Sequence, residues 1–296
     1  MHGTNVAEFV SGMNRDGHSK GAPWPGPVRE ARHCATLALA VALMLAPQAG
    51  WSDPDDALPD STQFRRSGRD TIPAPLEPVR AGESLRFNVR WKFISAGDAW
   101  LEVPEVRDWN GHPAWVLVAR AQSNGFIDKF YKVRNRIESV WDQRARFSWR
   151  YFEDRHEGGY TANDTLTFEP DSGRVRYQDG KTYPVPPNVQ DALSAFYYTR
   201  FQPLTIGSIV AFDYHASRRT APMEVKVLGR QRIKVPAGTF DCVIVEPMLR
   251  VGGIFKNKGR LLIWLTDDDR RFPVLMKSKV VIGSIDVALT ELRPGG

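Results

Sequence analysis

The chain has 296 residues, 42% of them hydrophobic and 25% charged, with a net charge of +6. That balance belongs to a globular protein large enough to bury a core, and it excludes a collagen-like or wholly disordered chain. The positive excess is mild: it suits contact with anionic envelope lipid or glycan, but a solvated basic surface is the more frequent reason.

The first 52 residues stand apart. Residues 1–27 are polar and rich in Gly and Pro, and an uncharged apolar run of fourteen, Cys34 to Pro47, follows Arg29 and Arg32. Small and turn-forming residues come next, from Gln48 to Ser52. Charged, apolar and polar zones in that order read as a secretory signal peptide, with cleavage expected near Gly50–Ser52 and a periplasmic destination. Fourteen residues fall short of the about 20 that a spanning helix needs, so no permanent transmembrane span is expected. The polar stretch before the run fits either a translation start nearer Val28 or an extended leading region. Cys34 opens the apolar run instead of closing it, which does not fit a lipidated N-terminus. Cys242, within FDCVIVEP, is then the one Cys of the exported part and reads as a small buried hydrophobe.

Residues 53–81 are rich in Pro, Asp, Ser and Arg and read as a flexible leader. A single β-rich domain is expected over 82–292. Its first strand alternates Leu85, Phe87, Val89, Trp91 and Phe93 with Ser84, Arg86, Asn88, Arg90 and Lys92, which gives one greasy and one wet face. Antiparallel sheets permit that; parallel sheets rarely do. Ile94 to Gly97 reads as a tight connection into a strand through Trp100, Leu101 and Val103. Asn110-Gly111 is a hairpin signal, and Ala114 to Gln122 the next strand. Ser123 to Tyr131 reads as a short helical or looped insertion. Val133, Ile137 and Trp141 share a strand face, and Phe147, Trp149 and Tyr151, then Leu166 and Phe168, then Val175 and Tyr177 mark further strands. From Val225 to Leu292 short β-branched and aromatic runs alternate with turns, the pattern of an antiparallel meander. One segment breaks it. Asn188 to Phe201 places Val189, Ala192, Leu193, Phe196 and Tyr197 on one helical stripe, with Asn188 as the expected N-cap and Asp191 in the first turn. The fold class expected is mainly β: a curved antiparallel sheet or half-barrel of about ten or eleven strands, with one amphipathic helix packed on it.

Motifs for chemistry are sparse. His112, His156 and His215 are scattered and not at metal-ligand spacing, and Asp267 to Asp269 lack a calcium-loop pattern and read as a hairpin turn. Asp191 and Ser194 have no local base or oxyanion site, and capping explains them. Arg86, Arg90, Lys92, Arg134, Arg136, Arg230, Arg232 and Lys234 lie on outward faces, and export argues against nucleic acid as their partner. No catalytic residue, metal site or cofactor is nominated.

Five stretches, taken in order, resemble one family: FNVRWKFISAGDAWLEV, AQSNGFIDKFYKVRNRIESVWD, DALSAFYYTR, VPAGTFDCVIVEP and GRLLIWLTDDDRRFPVLMKSKVVIGSIDVAL. They are similar to the bacterial exported family catalogued as domain of unknown function 3108, over about residues 82 to 292. The resemblance implies a compartment and a fold, and it transfers no catalytic residue. The architectural analogy is to the half-barrel of Lol-type lipoprotein carriers, where a curved sheet and a helical plug enclose a greasy cavity; that is an analogy of fold alone. Three functions compete: a non-enzymatic binding module for a lipid or other hydrophobic molecule, with Phe87, Trp91, Phe196 and Tyr197 as its ligand wall; a structural or assembly factor of the cell envelope acting through a protein partner; and an envelope hydrolase.

Overall fold

The computed structural model describes residues 71–72, 77–251, 254–255, 260–280 and 283–296. The expected signal peptide and its cleavage zone lie outside them. The N-terminal half forms β1 (Thr71–Ile72), β2 (Glu83–Trp91), β3 (Ile94–Trp109), β4 (His112–Ser123), β5 (Val133–Asp142), β6 (Ser148–Glu157), β7 (Tyr160–Glu169), β8 (Arg174–Tyr177) and β9 (Thr182–Pro184). Helix α1 (Ala192–Arg200) leads into β10 (Leu204–Thr205), β11 (Ile209–Ala216), β12 (Arg219–Val235), β13 (Gly238–Val251), β14 (Ile254–Phe255), β15 (Leu261–Thr266), β16 (Pro273–Val280) and β17 (Gly283–Pro294).

Apart from the small β1–β10 pair, the strands form one antiparallel sheet of fifteen, in the order β11-β12-β13-β15-β16-β17-β2-β3-β4-β5-β6-β7-β8-β9, with β14 attached to β13. It is a meander in two halves, joined where β17 pairs with β2. The curved antiparallel architecture is as the sequence indicates, but the strands outnumber the ten or eleven expected. The excess includes pieces such as β8, β9 and β14, too short to display a period. Curvature comes from bulges in the long strands, at Glu102/Glu105, Val140/Trp141, Val227/Gly229 and Leu289/Glu291. The Asn110-Gly111 turn has φ of 52° and 85°, the left-handed pair a two-residue hairpin favours.

Two local expectations are corrected. Phe93 does not continue the buried face of β2. The strand ends at Trp91, Lys92 and Phe93 make the hairpin turn, and Phe93 is 79% exposed. Ile94 to Gly97 accordingly opens β3 and is not the connection. The helix begins at Ala192, not after Asn188. Asp191 is its N-cap, and its carboxylate accepts from the backbone N–H of Leu193 and of Ser194, both at 2.8 Å. Ser194 accepts in return from the Asp191 N–H at 2.9 Å, which completes a capping box. Asn188 has φ of 61° and lies before the helix.

The helix is buried nearly all round, with Ala192, Leu193, Ser194, Ala195, Tyr197, Thr199 and Arg200 inside. It plugs the curved sheet, and most of its stability comes from that burial because nine residues alone make a marginal helix. The two ends of the sheet, β9 and β11, are not joined by a ladder. Side chains fill the seam. Tyr177 of β8 meets His215 of β11 at 2.9 Å, and Arg218 stands over the Tyr177 ring and reaches Tyr183 and Asp179. Gln190 makes a parallel bridge with Tyr214.

Candidate functional site

The sheet's inner face is not uniformly apolar. Period-two alternation along β6 places Tyr151, Glu153, Arg155 and Glu157 inward, and all four are buried. Asn135 of β5 lies opposite Arg155, and Asp164 of β7 opposite Glu153. Tyr151 donates to Glu153 at 3.0 Å and Asn135 to Glu157 at 2.7 Å. Arg155 is 1% exposed, yet it makes one bond, from Nη2 to the Tyr160 hydroxyl at 3.3 Å, with Glu153 only within 3.8 Å of Nε. Its Nε and Nη1 have no hydrogen-bond partner among the described residues. A buried charge with unmet donors is costly and is normally paired or solvated. Burial pushes the Glu157 carboxyl up, against the pull of Arg155 and Asn135. It pushes Asp164 up too, reinforced by Glu153.

Beside this cluster lies a recess with an apolar wall: Phe87, Ala99, Leu101, Ala119, Ala121, Ile137 and Met276, with Asn135 at its polar edge. Three alanines on adjacent strands leave the gap. Its space is about 20 Å³, room for a water and not for an acyl chain.

A second polar group surrounds the helix start. Asp191 Oδ2 accepts from Ser139 at 2.6 Å, Ser148 and Ser194 hydroxyls meet at 2.8 Å, and Trp141 donates to Gln190 at 3.0 Å. Burial pushes the Asp191 carboxyl up, opposed by these donors. The hydroxyls here serve a carboxylate and one another, and the Asp191–Ser194 pair has the geometry of a helix cap. At the helix end Arg200 forms a two-pronged pair with Glu83, at 2.6 and 2.9 Å, with both side chains fully buried. Arg271 donates to the carbonyls of Arg200 and Gln202 beyond the last turn, and burial pushes its guanidinium down to about 10.

The four residues nominated as a ligand wall all belong to or pack against the one hydrophobic core, Phe87 and Trp91 from β2 and Phe196 and Tyr197 from the helix. Phe87 lines the recess and is fully buried. Trp91 lies four residues along β2, opposite Ile94 and Ile285. Phe196 and Tyr197 sit on the helix, Phe196 half-buried, and the Tyr197 ring packs against the Arg200 guanidinium. The Tyr197 hydroxyl is buried without a hydrogen-bond partner among the described residues. Sequence reading missed Glu153, Arg155 and Glu157. Carrying the period of two onward from Tyr151 would have found them.

The other candidates take the structural roles their surroundings dictate. His215 is buried between Tyr177 and the Thr220 hydroxyl, and burial pushes its ring down to about 4. Burial pushes the Cys242 thiol up to about 12. Asp268 closes the β15–β16 turn by accepting from Thr266 and from the N–H of Arg270 and Arg271. Several outward basic residues face carboxylates, among them Arg86 with Glu291, Arg134 with Asp128 and Arg230 with Asp267.

A family profile described as "Protein of unknown function (DUF3108)" matches residues 86–290. The chain belongs to that family. No curated protein matches it. Among solved structures, a beta-barrel-like protein of domain of unknown function DUF1849 from Brucella abortus aligns with a TM-score of 0.50 at 11% identity, over 73% of this chain and 98% of its own. At that identity the likeness shows the fold of this DUF3108 member and nothing further. A "putative lipoprotein" from Parabacteroides distasonis aligns at 0.36 and 14% identity, over 75% of this chain and 99% of its own. A protein with a YmcC-like fold from Bacteroides fragilis aligns at 0.31 and 12%, over 74% and 99%. Neither of these two carries an argument. Among the described residues no helix is long and apolar enough to cross a membrane, and no group of His, Cys, Asp or Glu is arranged to hold a metal ion.

Proposed function

We propose that this DUF3108 protein is an exported, non-enzymatic binding module for a lipid or other hydrophobic molecule that carries a polar head. One observation carries the reading: an apolar recess inside the sheet borders Asn135, and the neighbouring Arg155 is buried with its Nε and Nη1 unmet among the described residues. Such a site wants an apolar body against Phe87, Ile137 and Met276 and a hydrogen-bond acceptor at Arg155. Glu153, Glu157 and Asp164 make an uncharged acceptor, such as a carbonyl or hydroxyl, a better match than a full anion. The recess is too small at rest, so binding requires the sheet to spread. A seam held by side chains instead of a strand ladder permits that. The charged, apolar and polar zones of residues 29–52 support export to the periplasm.

Native mass spectrometry of the processed protein, recovered gently from the periplasm, tests the reading. A discrete added mass that disappears on denaturation and is absent from Ala121→Trp supports it, with lipid extraction to name the ligand. A clean protein mass from every preparation overturns it and moves the reading to an envelope assembly factor.

A further inference from the structure

Of the six large hydrophobic side chains exposed among the described residues, four gather at one end of the sheet: Phe93 (79%), Ile94, Phe126 (58%) and Phe130 (75%). They belong to two neighbouring loops, the β2–β3 turn and the β4–β5 connection. The loops are tied together. The Asn124 N–H donates to the Ala96 carbonyl at 2.9 Å, and the Asn124 amide to the Ser95 carbonyl at 2.7 Å. Asn124 Oδ1 also accepts from the N–H of Phe126 and Ile127. Asp128 is bound by Ser123 and by Arg134, which holds its carboxyl below the usual range. Gly158, with φ of 59°, lets the Tyr131 ring of the second loop lie where a Cβ would stand, 2.6 Å from its Cε2. The aromatics are therefore presented on a built framework, and Phe126 and Phe130 pack edge-on at 5.7 Å without covering each other.

The charge around them is mainly positive. Residues 90–94 and 124–134 carry Arg90, Lys92, Lys129, Lys132 and Arg134 against the single carboxylate of Asp128. Protruding aromatics rimmed by Lys and Arg match the interface of an anionic bilayer, where rings sit at headgroup level and cations meet lipid phosphates. Four side chains on two tips are a small footprint beside the about 800 Å² per partner of a stable protein interface. We infer that this end of the domain docks peripherally on an anionic membrane surface, with Phe93, Phe126 and Phe130 inserted among the headgroups. The inference is independent of whether the recess takes a ligand. Phe87, Ala99, Ala121 and Asn135 do lie on the strands that end in these two loops, so docking would bring the recess close to the lipid.

The test is co-sedimentation of the processed, full exported chain with phosphatidylethanolamine/phosphatidylglycerol vesicles and with phosphatidylcholine vesicles. Wild type is expected to bind the first and to bind the second more weakly. Phe93→Ser/Phe130→Ser is expected to weaken binding about tenfold or more with its melting temperature unchanged, because both rings are solvent-exposed and unneeded by the core. Lys129→Glu/Lys132→Glu should abolish the preference for anionic lipid. All chains share one N-terminus, so any residual signal segment contributes equally to each. Wild-type protein that stays in the supernatant, or variants that bind as tightly as wild type, overturns the inference. So does a concentration-dependent dimer, seen by light scattering, that is lost in Phe93→Ser/Phe130→Ser, since that assigns the patch to a second copy of the chain.

Discussion

Truncating Arg200 should unseat the helix plug, and the geometry sets the size of the effect. Its guanidinium makes two bonds to Glu83, one to the Pro78 carbonyl at 2.5 Å and two to the Arg270 carbonyl. Arg200→Ala leaves Glu83 buried with only Arg270 near, at 3.3 Å. Breaking a buried pair from one side costs about 3–5 kcal/mol, because the surviving charge loses its counter-ion and cannot reach water. For a domain of this size each kcal/mol shifts the melting temperature by about 2–4 °C, so a fall of about 6–20 °C is expected. Glu83→Met should do comparable damage. The double variant Glu83→Met/Arg200→Met should recover most of the loss, since an apolar pair of similar volume avoids the desolvation of both ions. Calorimetry or urea unfolding of wild type, Glu83→Met, Arg200→Met (expected to lose as much as Arg200→Ala) and the double variant closes a double-mutant cycle, with a coupling energy of about 4 kcal/mol or more expected from those losses. A double variant that loses as much as the two single variants together would refute the reasoning, for the two charges would then act independently.

Three further predictions concern the seam. His215 is neutral in the fold down to about pH 4 but takes up a proton near 6.5 when unfolded, so stability is lost as pH falls through that window, by about 3 kcal/mol at most. Glu157, Asp164 and Asp191, whose carboxyls burial raises, work in the opposite direction. His215→Gln keeps the second set and removes the first. The stability gap between wild type and this variant should therefore narrow by about 3 kcal/mol from pH 7 to pH 4 in urea titrations, and a constant gap contradicts the assignment. Arg218 has φ of 66° in the β11–β12 turn. Arg218→Gly should be more stable than Arg218→Ala by about 1 kcal/mol, because both lose the contacts to Tyr177, Tyr183 and Asp179 but only Ala keeps the left-handed strain. Equal urea midpoints would show that no strain is held there. In native-state hydrogen exchange, amides of β9 and β11 should open at lower free energy than those of β2 and β17, since each has a ladder on one side only. Equal protection would mean that the seam is as firm as the sheet.

Much of the sheet was legible because one-sided burial imposes a period of two. Val133, Ile137 and Trp141 alternate with Arg134, Arg136 and Glu138, and the first three are buried as the pattern requires. The reading failed where a residue left the period for reasons invisible in one dimension. Phe93 continues the alternation of β2 in sequence, but the chain turns at Lys92 and the ring emerges into solvent. The helix start went to Asn188 because Asn is a good cap, and the better one, Asp191, was identifiable from Ser194 three residues on. The interior charges were hidden for the opposite reason. Glu153, Arg155 and Glu157 keep the period faithfully, but a search for apolar residues on the inner face passes over them.

Polarity is distributed unevenly round the sheet, and the distribution bears on where it would open under the proposed binding. The inner faces of β13, β15, β16 and β17 supply Val243, Val245, Ile263, Met276, Val287 and Leu289, a surface that only packing holds. The β5–β7 side supplies the carboxylates, Arg155 and Asn135. The seam beyond β7 is closed by Tyr177, His215, Arg218 and Asp179, through hydrogen bonds that water can replace and through packing of the Tyr177, Tyr183 and His215 rings. Spreading the sheet at that seam exchanges protein hydrogen bonds for hydrated ones, at a net cost of about 1 kcal/mol each, and bares the Tyr177 and His215 rings, but it breaks no backbone ladder. Spreading it at β17–β2 would expose Phe87, Val89 and Val287, and would cost about 2 kcal/mol for each large side chain bared. The weaker boundary is therefore the side-chain seam, and it flanks the half that carries Arg155, the buried charge with unmet donors.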